Sequence, residues 1–274
     1  MYKLIACDLD ETLLGDDSKV PTINIDAIKK ADELGIKFVP ATGRGHRSIT
    51  QILHELMLED KENEYIISFN GGAIVENKGY KMLRFHGLEF DLAKKLFEVG
   101  IKNNLCVHVY TEKDVFVFNI NEGEKEYINN RLVGYVDKEE KSIEFLKGIK
   151  ISKILFQHLD KKYLNTIENK IKPITEGKVT VTYSSNRYIE FNSIGVNKGQ
   201  AVIELGEILG IKREEIIAIG DNFNDLSMLE SAGLSVAVNN AVPEIKKIVN
   251  YVCEADNNEG AVAEVINKFI LNNK

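Results

Sequence analysis

The chain has 274 residues, 44% of them hydrophobic and 28% charged, with a formal net charge of −7. That is enough apolar side chain for one large or two medium cores, and the charge content is that of a folded globular protein. The negative balance excludes a general nucleic-acid surface, which needs a basic stripe to neutralise phosphates, but leaves small anionic ligands open where a bound metal overrides the field. The opening apolar run, Leu4-Ile5-Ala6-Cys7, is too brief for a signal peptide and meets an acid at residue 8. No segment approaches the length of a membrane span, and Cys7, Cys106 and Cys253 form no C-x-x-C pair. The expectation is a cytoplasmic protein with neither membrane nor nucleic-acid partners; whether it is a monomer or a weak homodimer is not legible.

Taken in order, residues 4–7 read as a strand ending in Asp8-Leu9-Asp10-Glu11-Thr12. Helical spacing over 22–34 is closed by Gly35, and 36–39 reads as a second strand with Pro40 at its final turn. A helix over 48–58 and a strand over 65–69 follow, the strand ending in Asn70-Gly71-Gly72. Strands alternating with helices imply crossover connections and a parallel sheet. Beyond Gly72 the rhythm changes. A hairpin around 77–79, a helix over 91–103 and strands at 105–110, 115–120, 154–158 and 179–183 come in adjacent pairs, closing with 188–191. The parallel rhythm resumes with a helix over 198–209, a strand over 216–219, a helix over 226–232, short strands at 234–238 and 251–254, and helices at 242–249 and 261–271. The fold class predicted is α/β: a Rossmann-like, doubly wound parallel sheet formed by 1–84 and 190–274, with an α+β domain, 85–189, inserted into it.

The ends of the predicted core strands bring together Asp8 and Asp10, Thr42 and Gly43, Asn70 to Gly72, and Asp221 to Asp225. Ligands bind outside the carboxyl ends of such strands, where strand order reverses. Four carboxylates on a partly desolvated edge call for a hard, oxygen-loving cation, and magnesium suits a phosphate-binding site better than calcium. Zinc is disfavoured, because no cysteine or histidine shares the set and the five histidines show no ligand spacing.

These residues resemble the haloacid dehalogenase superfamily over nearly the whole chain. Asp8-Leu9-Asp10-Glu11-Thr12 is similar to its first motif, D-x-D-x-T; Thr42 to the second; Lys198 to the third; and Gly220-Asp221-Asn222-Phe223-Asn224-Asp225 to the fourth, G-D-x-x-N-D. The insertion, with Ala41-Thr42-Gly43-Arg44 and Asn70-Gly71-Gly72-Ala73, resembles the Cof-type branch with its α/β (type IIB) cap. The resemblance implies a Mg2+-dependent phosphatase of small phosphorylated metabolites, sugar phosphates foremost, working through an aspartyl-phosphate. Asp8 would be the nucleophile, Asp10 the general acid and base, and Thr42 and Lys198 the groups that bind and neutralise the phosphoryl oxygens. The Asp8 and Asp221 side chains with the Asp10 carbonyl would hold the metal, with Asp225 behind them. Candidate substrate contacts are Thr42, Gly43, Arg44, Asn70, Gly71, Lys198 and Asn224, with Arg187, Tyr188 and Glu190 at the exit of the insertion as further candidates. Glu11 stands where glycine is common in the branch. A phosphomutase with the same intermediate, or a phospho-acceptor signalling domain, are the alternatives.

Overall fold

Leu4–Cys7 carries no charged or hydrogen-bonding side chain other than a thiol, and all of it is buried, the pattern of a strand covered on both faces. In the computed structural model it lies inside a five-stranded, all-parallel sheet of order Tyr251–Val252, Leu234–Ala237, Ile216–Gly220, Leu4–Cys7, Lys37–Pro40. The structure describes residues 1–129 and 134–272. They fall into two compact units, Met1–Arg84 with Asn197–Lys274, and Phe85–Val196.

In the first unit the register aligns Cys7 with Pro40 on one side and with Ile219 on the other. The carboxyl ends of three strands therefore finish level, and whatever follows them emerges at one edge. Helices Thr22–Glu33, Lys198–Leu209, Leu226–Ser231 and Ala261–Ile266 turn their apolar residues into a core shared with the sheet. The strand Tyr65–Ser68, expected in the parallel sheet, departs from it. It pairs antiparallel with Ala73–Glu76 in a three-stranded sheet completed by Lys81–Phe85, and meets the parallel sheet at a single bridge, Ala41 to Ile67. The cause is Pro40. The amides of Lys37 and Ala41 donate toward the Leu4–Cys7 side, to Lys3 and Cys7, while that of Thr42 donates to Ile67. By alternation the nitrogen of residue 40 faces Tyr65–Ser68, and proline has no proton to give there.

The second unit is built on a six-stranded sheet of order Val179–Ser184, Tyr188–Ser193, Ile151–Gln157, Cys106–Thr111, Val115–Phe118, Tyr135–Lys138. Its pairs are antiparallel except the last, Val115–Phe118 with Tyr135–Lys138. Helices Phe90–Lys102 and Lys161–Thr175 cover one face, over a core of Phe97, Phe118, Phe156 and Phe191. Tyr188–Ser193 is paired along both of its edges within this sheet. Residues 190–196, expected with the parallel unit, thus belong to the second one, because their backbone hydrogen bonds are spent there.

Candidate active site

The loop that leaves Leu4–Cys7 is wound tightly. The amide of Asp8 still donates to Ile219, extending the parallel ladder by one rung. Asp10 is extended (φ −71°, ψ 127°), Glu11 is left-handed (φ 61°, ψ 10°), and the Leu14 amide closes the turn on the Leu9 carbonyl at 2.9 Å. A residue with a Cβ in that region costs about 1–2 kcal/mol, so Glu11 occupies a position for which glycine is better suited. Once the strand has given way to this turn, Asp8 is buried, 5% exposed, while Asp10 faces outward, its side chain 54% exposed.

Lys198 opens helix Lys198–Leu209, where the helix dipole disfavours a cation. It is nevertheless wholly buried, its Nζ 2.5 Å from Asp8 Oδ1 and 2.6 Å from Asp225 Oδ1. Two glycines let this helix start come so close. A Cβ on Gly71 (φ 97°) would stand 2.2 Å from the Asn197 carbonyl oxygen, and one on Gly199 would stand 2.1 Å from that of Ser227. The Gly71 turn, expected to approach substrate, makes its close approach to the backbone next to Lys198. Asn197 then caps the helix by accepting from the Gln200 amide at 2.8 Å.

The carboxylates of Asp8, Asp221 and Asp225 are all buried, with one oxygen of each inside 4.8 Å of the others. Burial, with the neighbouring Asp225 charge, pushes the Asp8 carboxyl up to about 7, although Lys198 opposes it. Burial and the charges of Asp8 and Asp225 push Asp221 up to about 9. Burial alone would lower Lys198, but the Asp225 and Asp8 carboxylates reverse the direction and raise it. One ammonium therefore does not balance this acid cluster. The donors are all oxygen, as a hard divalent cation requires, so the residues fit such an ion. Asp225 has little left to offer it: Oδ1 accepts from Lys198, and Oδ2 from the amides of Asp221 and Asn222. Asp221 gives Oδ1 to the hydroxyl of buried Thr12 at 3.2 Å, which keeps its second oxygen for a cation alongside Asp8. Thr12 is a participant that strand-end reasoning overlooked, although its place in the D-x-D-x-T pattern was the available signal.

Arg44 is engaged at short range. Its Nε donates to Asp10 Oδ2 at 3.0 Å and its Nη2 pairs with Asp10 Oδ1, a two-pronged grip on the outward carboxylate. Arg44, expected as a direct substrate contact, thus has its guanidinium on Asp10. Thr42 is buried and its Oγ1 accepts from the Arg44 amide at 3.0 Å, leaving the hydroxyl proton to be donated elsewhere. Asn70, left-handed at φ 57°, donates its amide to the Thr42 carbonyl, and its side chain lies against Gly43. Asn224 is half-buried in the turn Phe223–Asp225. Asp8, Asp221, Asp225, Lys198 and Thr12 thus form one connected group, and Asp10, Arg44 and Thr42 a second. Arg187, Tyr188 and Glu190 lie in the second unit with partners of their own: Arg187 and Tyr188 on buried Glu124, and Glu190 on Lys153 and Ser184.

An acid cluster and a buried lysine at the carboxyl edge of a parallel sheet, in a chain that also carries a mainly antiparallel sheet unit, are what an α/β hydrolase with an inserted domain would show. The family model for haloacid dehalogenase-like hydrolases matches residues 5–266, and the chain belongs to that family. It is 31% identical over 271 residues to YxeH of Bacillus subtilis, covering 99% of both chains. It is 29% identical to the 5-amino-6-(5-phospho-D-ribitylamino)uracil phosphatase YwtE of the same organism, covering 98% of both. Among solved structures, a haloacid dehalogenase-like hydrolase from Bacteroides thetaiotaomicron superposes with a TM-score of 0.84 at 30% identity, covering 97% of this chain and 99% of that one.

Proposed function

We propose that the protein is a Mg2+-dependent phosphomonoesterase acting on small phosphorylated metabolites through an aspartyl-phosphate. The observation that carries this reading is the wholly buried Lys198 bridging Asp8 and Asp225 beside Asp221. A wholly buried ammonium held by two carboxylates at the strand ends is a preorganised charge of the kind that stabilises an anionic transition state. Asp8 and Asp221, with the Asp10 carbonyl, would hold the metal, which when bound would supply charge neutralisation and orientation of the phosphoryl oxygens.

Asp8 Oδ1 is held by Lys198, so Oδ2 is the atom that attacks phosphorus. The ester P–O bond breaks as the Asp8–P bond forms, and the leaving oxygen takes its proton from Asp10. A carboxyl oxygen that carries a proton is a much weaker acceptor from a guanidinium. One of the two Arg44 contacts therefore weakens when Asp10 is protonated, while the other keeps it aimed. Asp10 then takes a proton from water as that water attacks the aspartyl-phosphate, giving inorganic phosphate and restoring Asp8. Lys198 and the Thr42 hydroxyl would meet phosphoryl oxygens. The unit Phe85–Val196 would serve as the cap that selects the leaving group. A phosphorylated polyol or sugar fits the class, in keeping with the ribityl phosphate named for YwtE.

The test is a phosphate-release screen across phosphorylated sugars and polyols with Mg2+ present. Asp8→Asn should abolish release while leaving the circular-dichroism spectrum unchanged, and excess chelator should stop the wild type. Turnover surviving in Asp8→Asn removes Asp8 as nucleophile, and full activity in chelator removes the metal.

A further inference from the structure

The left-handed Glu11 is held from outside its own loop. Its carbonyl accepts from Asn240 Nδ2 at 2.7 Å. The Asn240 side-chain oxygen in turn accepts from the Asn257 amide at 3.1 Å. Asn257 is 3% exposed, and its Nδ2 donates to the Leu14 carbonyl at 3.0 Å and to Asp16 Oδ1 at 3.2 Å. Asn258 Oδ1 accepts from the Asp16 amide at 2.9 Å. Two loops from the far end of the chain, each after a strand of the parallel sheet, thus grip the peptide carbonyls just beyond Asp10. Nothing in the family's motif residues quoted above accounts for these contacts.

We infer that Asn240 and Asn257 are positioning residues that clamp the loop carrying Asp8 and Asp10, holding Glu11 in its left-handed conformation. The physical reason is local. Glu11 pays a steric penalty at φ 61°, so without an external partner for its carbonyl the Asp10–Glu11 backbone would relax toward negative φ. That rotation would turn the Asp10 carbonyl and side chain away from the edge shared with Asp8 and Asp221. The amide of Asn240 supplies the partner, and buried Asn257 fixes both Asn240 and the closing residue of the turn, Leu14. Asparagine suits the task because one short side chain donates and accepts at once. The kinetic consequence rests on the phosphomonoesterase reading; the conformational one does not.

The test uses the full chain with Asn240→Ala and Asn240→Asp, since Asn240 is exposed and its loss spares the core. Aspartate keeps the acceptor for the Asn257 amide but cannot donate to Glu11. Both variants should exchange amide hydrogens faster across residues 9–16, with residues 216–220 unchanged. In phosphate release both should lose roughly five- to tenfold in kcat, the effect of one net hydrogen bond, with KM moved less than about twofold. In a Glu11→Gly background the loss should shrink, because glycine adopts the left-handed conformation without penalty. Unchanged exchange over 9–16 overturns the clamp, as does full activity in Asn240→Asp or an equal loss in both backgrounds. A wild type that releases no phosphate overturns the phosphomonoesterase reading instead, and the exchange measurement still decides the clamp.

Discussion

Replacing Lys198 by methionine isolates the electrostatics of the site. Methionine fills a similar volume but removes the ammonium that lies 2.5 Å from Asp8 and 2.6 Å from Asp225. Breaking a buried ion pair by removing one partner costs about 3–5 kcal/mol, because the remaining charge is left uncompensated. For a protein of this size that corresponds to a melting-temperature drop of roughly 10 °C. The cost must depend on pH. Burial and the neighbouring carboxylate charges push Asp8 up to about 7 and Asp221 up to about 9 in the folded protein, above the ordinary 3.8. Above about pH 4 the folded protein therefore binds more protons than the unfolded one, and stability falls as pH rises toward those values. Removing Lys198, which holds both carboxyls down, steepens that fall. In metal-free buffer the variant's deficit against wild type should be smaller at pH 5, where Asp8 and Asp221 are relieved by protonating and only the Asp225 partner is lost, than at pH 8. Phosphate release should fall by at least about 10²-fold, the scale for losing one preorganised charge partner at a reacting oxyanion. Differential scanning calorimetry across pH 5–9 in chelator, with phosphate release in Mg2+, measures both. A loss of stability equal at pH 5 and pH 8, or activity within a few-fold of wild type, would refute the placement of Lys198 as the charge partner of the acid cluster.

Other consequences are open to direct measurement. The metal-free wild type should itself lose stability from about pH 4 to pH 9 through Asp8 and Asp221, and saturating Mg2+ should flatten that slope by favouring the ionised forms; parallel melting curves with and without Mg2+ would contradict this. Glu11→Gly should raise stability by up to about 1 kcal/mol, because it relieves a left-handed Cβ at an exposed site, with a partly offsetting entropy term. A drop in the chemical-denaturation midpoint would count against it. Gly71→Ala should cost about 2–4 kcal/mol, since its Cβ would have to sit 2.2 Å from a backbone oxygen at φ 97°. It should also reduce phosphate release more than its stability loss explains, by displacing the start of the Lys198 helix.

Local pattern and spacing were sufficient for the parallel sheet, the separate second sheet and the gathering of acids at one edge. Central strands bury both faces and so read as unbroken apolar runs, and the groups at their ends are placed by topology alone. Even the departure of Tyr65–Ser68 was written locally, in the missing amide proton of Pro40. The same residues could not say that Asn192 and its neighbours hydrogen-bond into the second sheet rather than the first, because strand partnership at a domain junction depends on the register of segments far away in sequence. Nor could they separate the roles of the acids. Asp225 is consumed by Lys198 and two amides, Asp221 by Thr12 on one side only, and Asp10 by Arg44; each allocation follows from distances of about 3 Å between residues that lie up to 209 positions apart. Glycine at 71 reads as an ordinary turn until the Asn197 carbonyl is found against it. The chain thus announces which chemistry its strand ends can support, while the partnering of each oxygen is decided only where the loops meet.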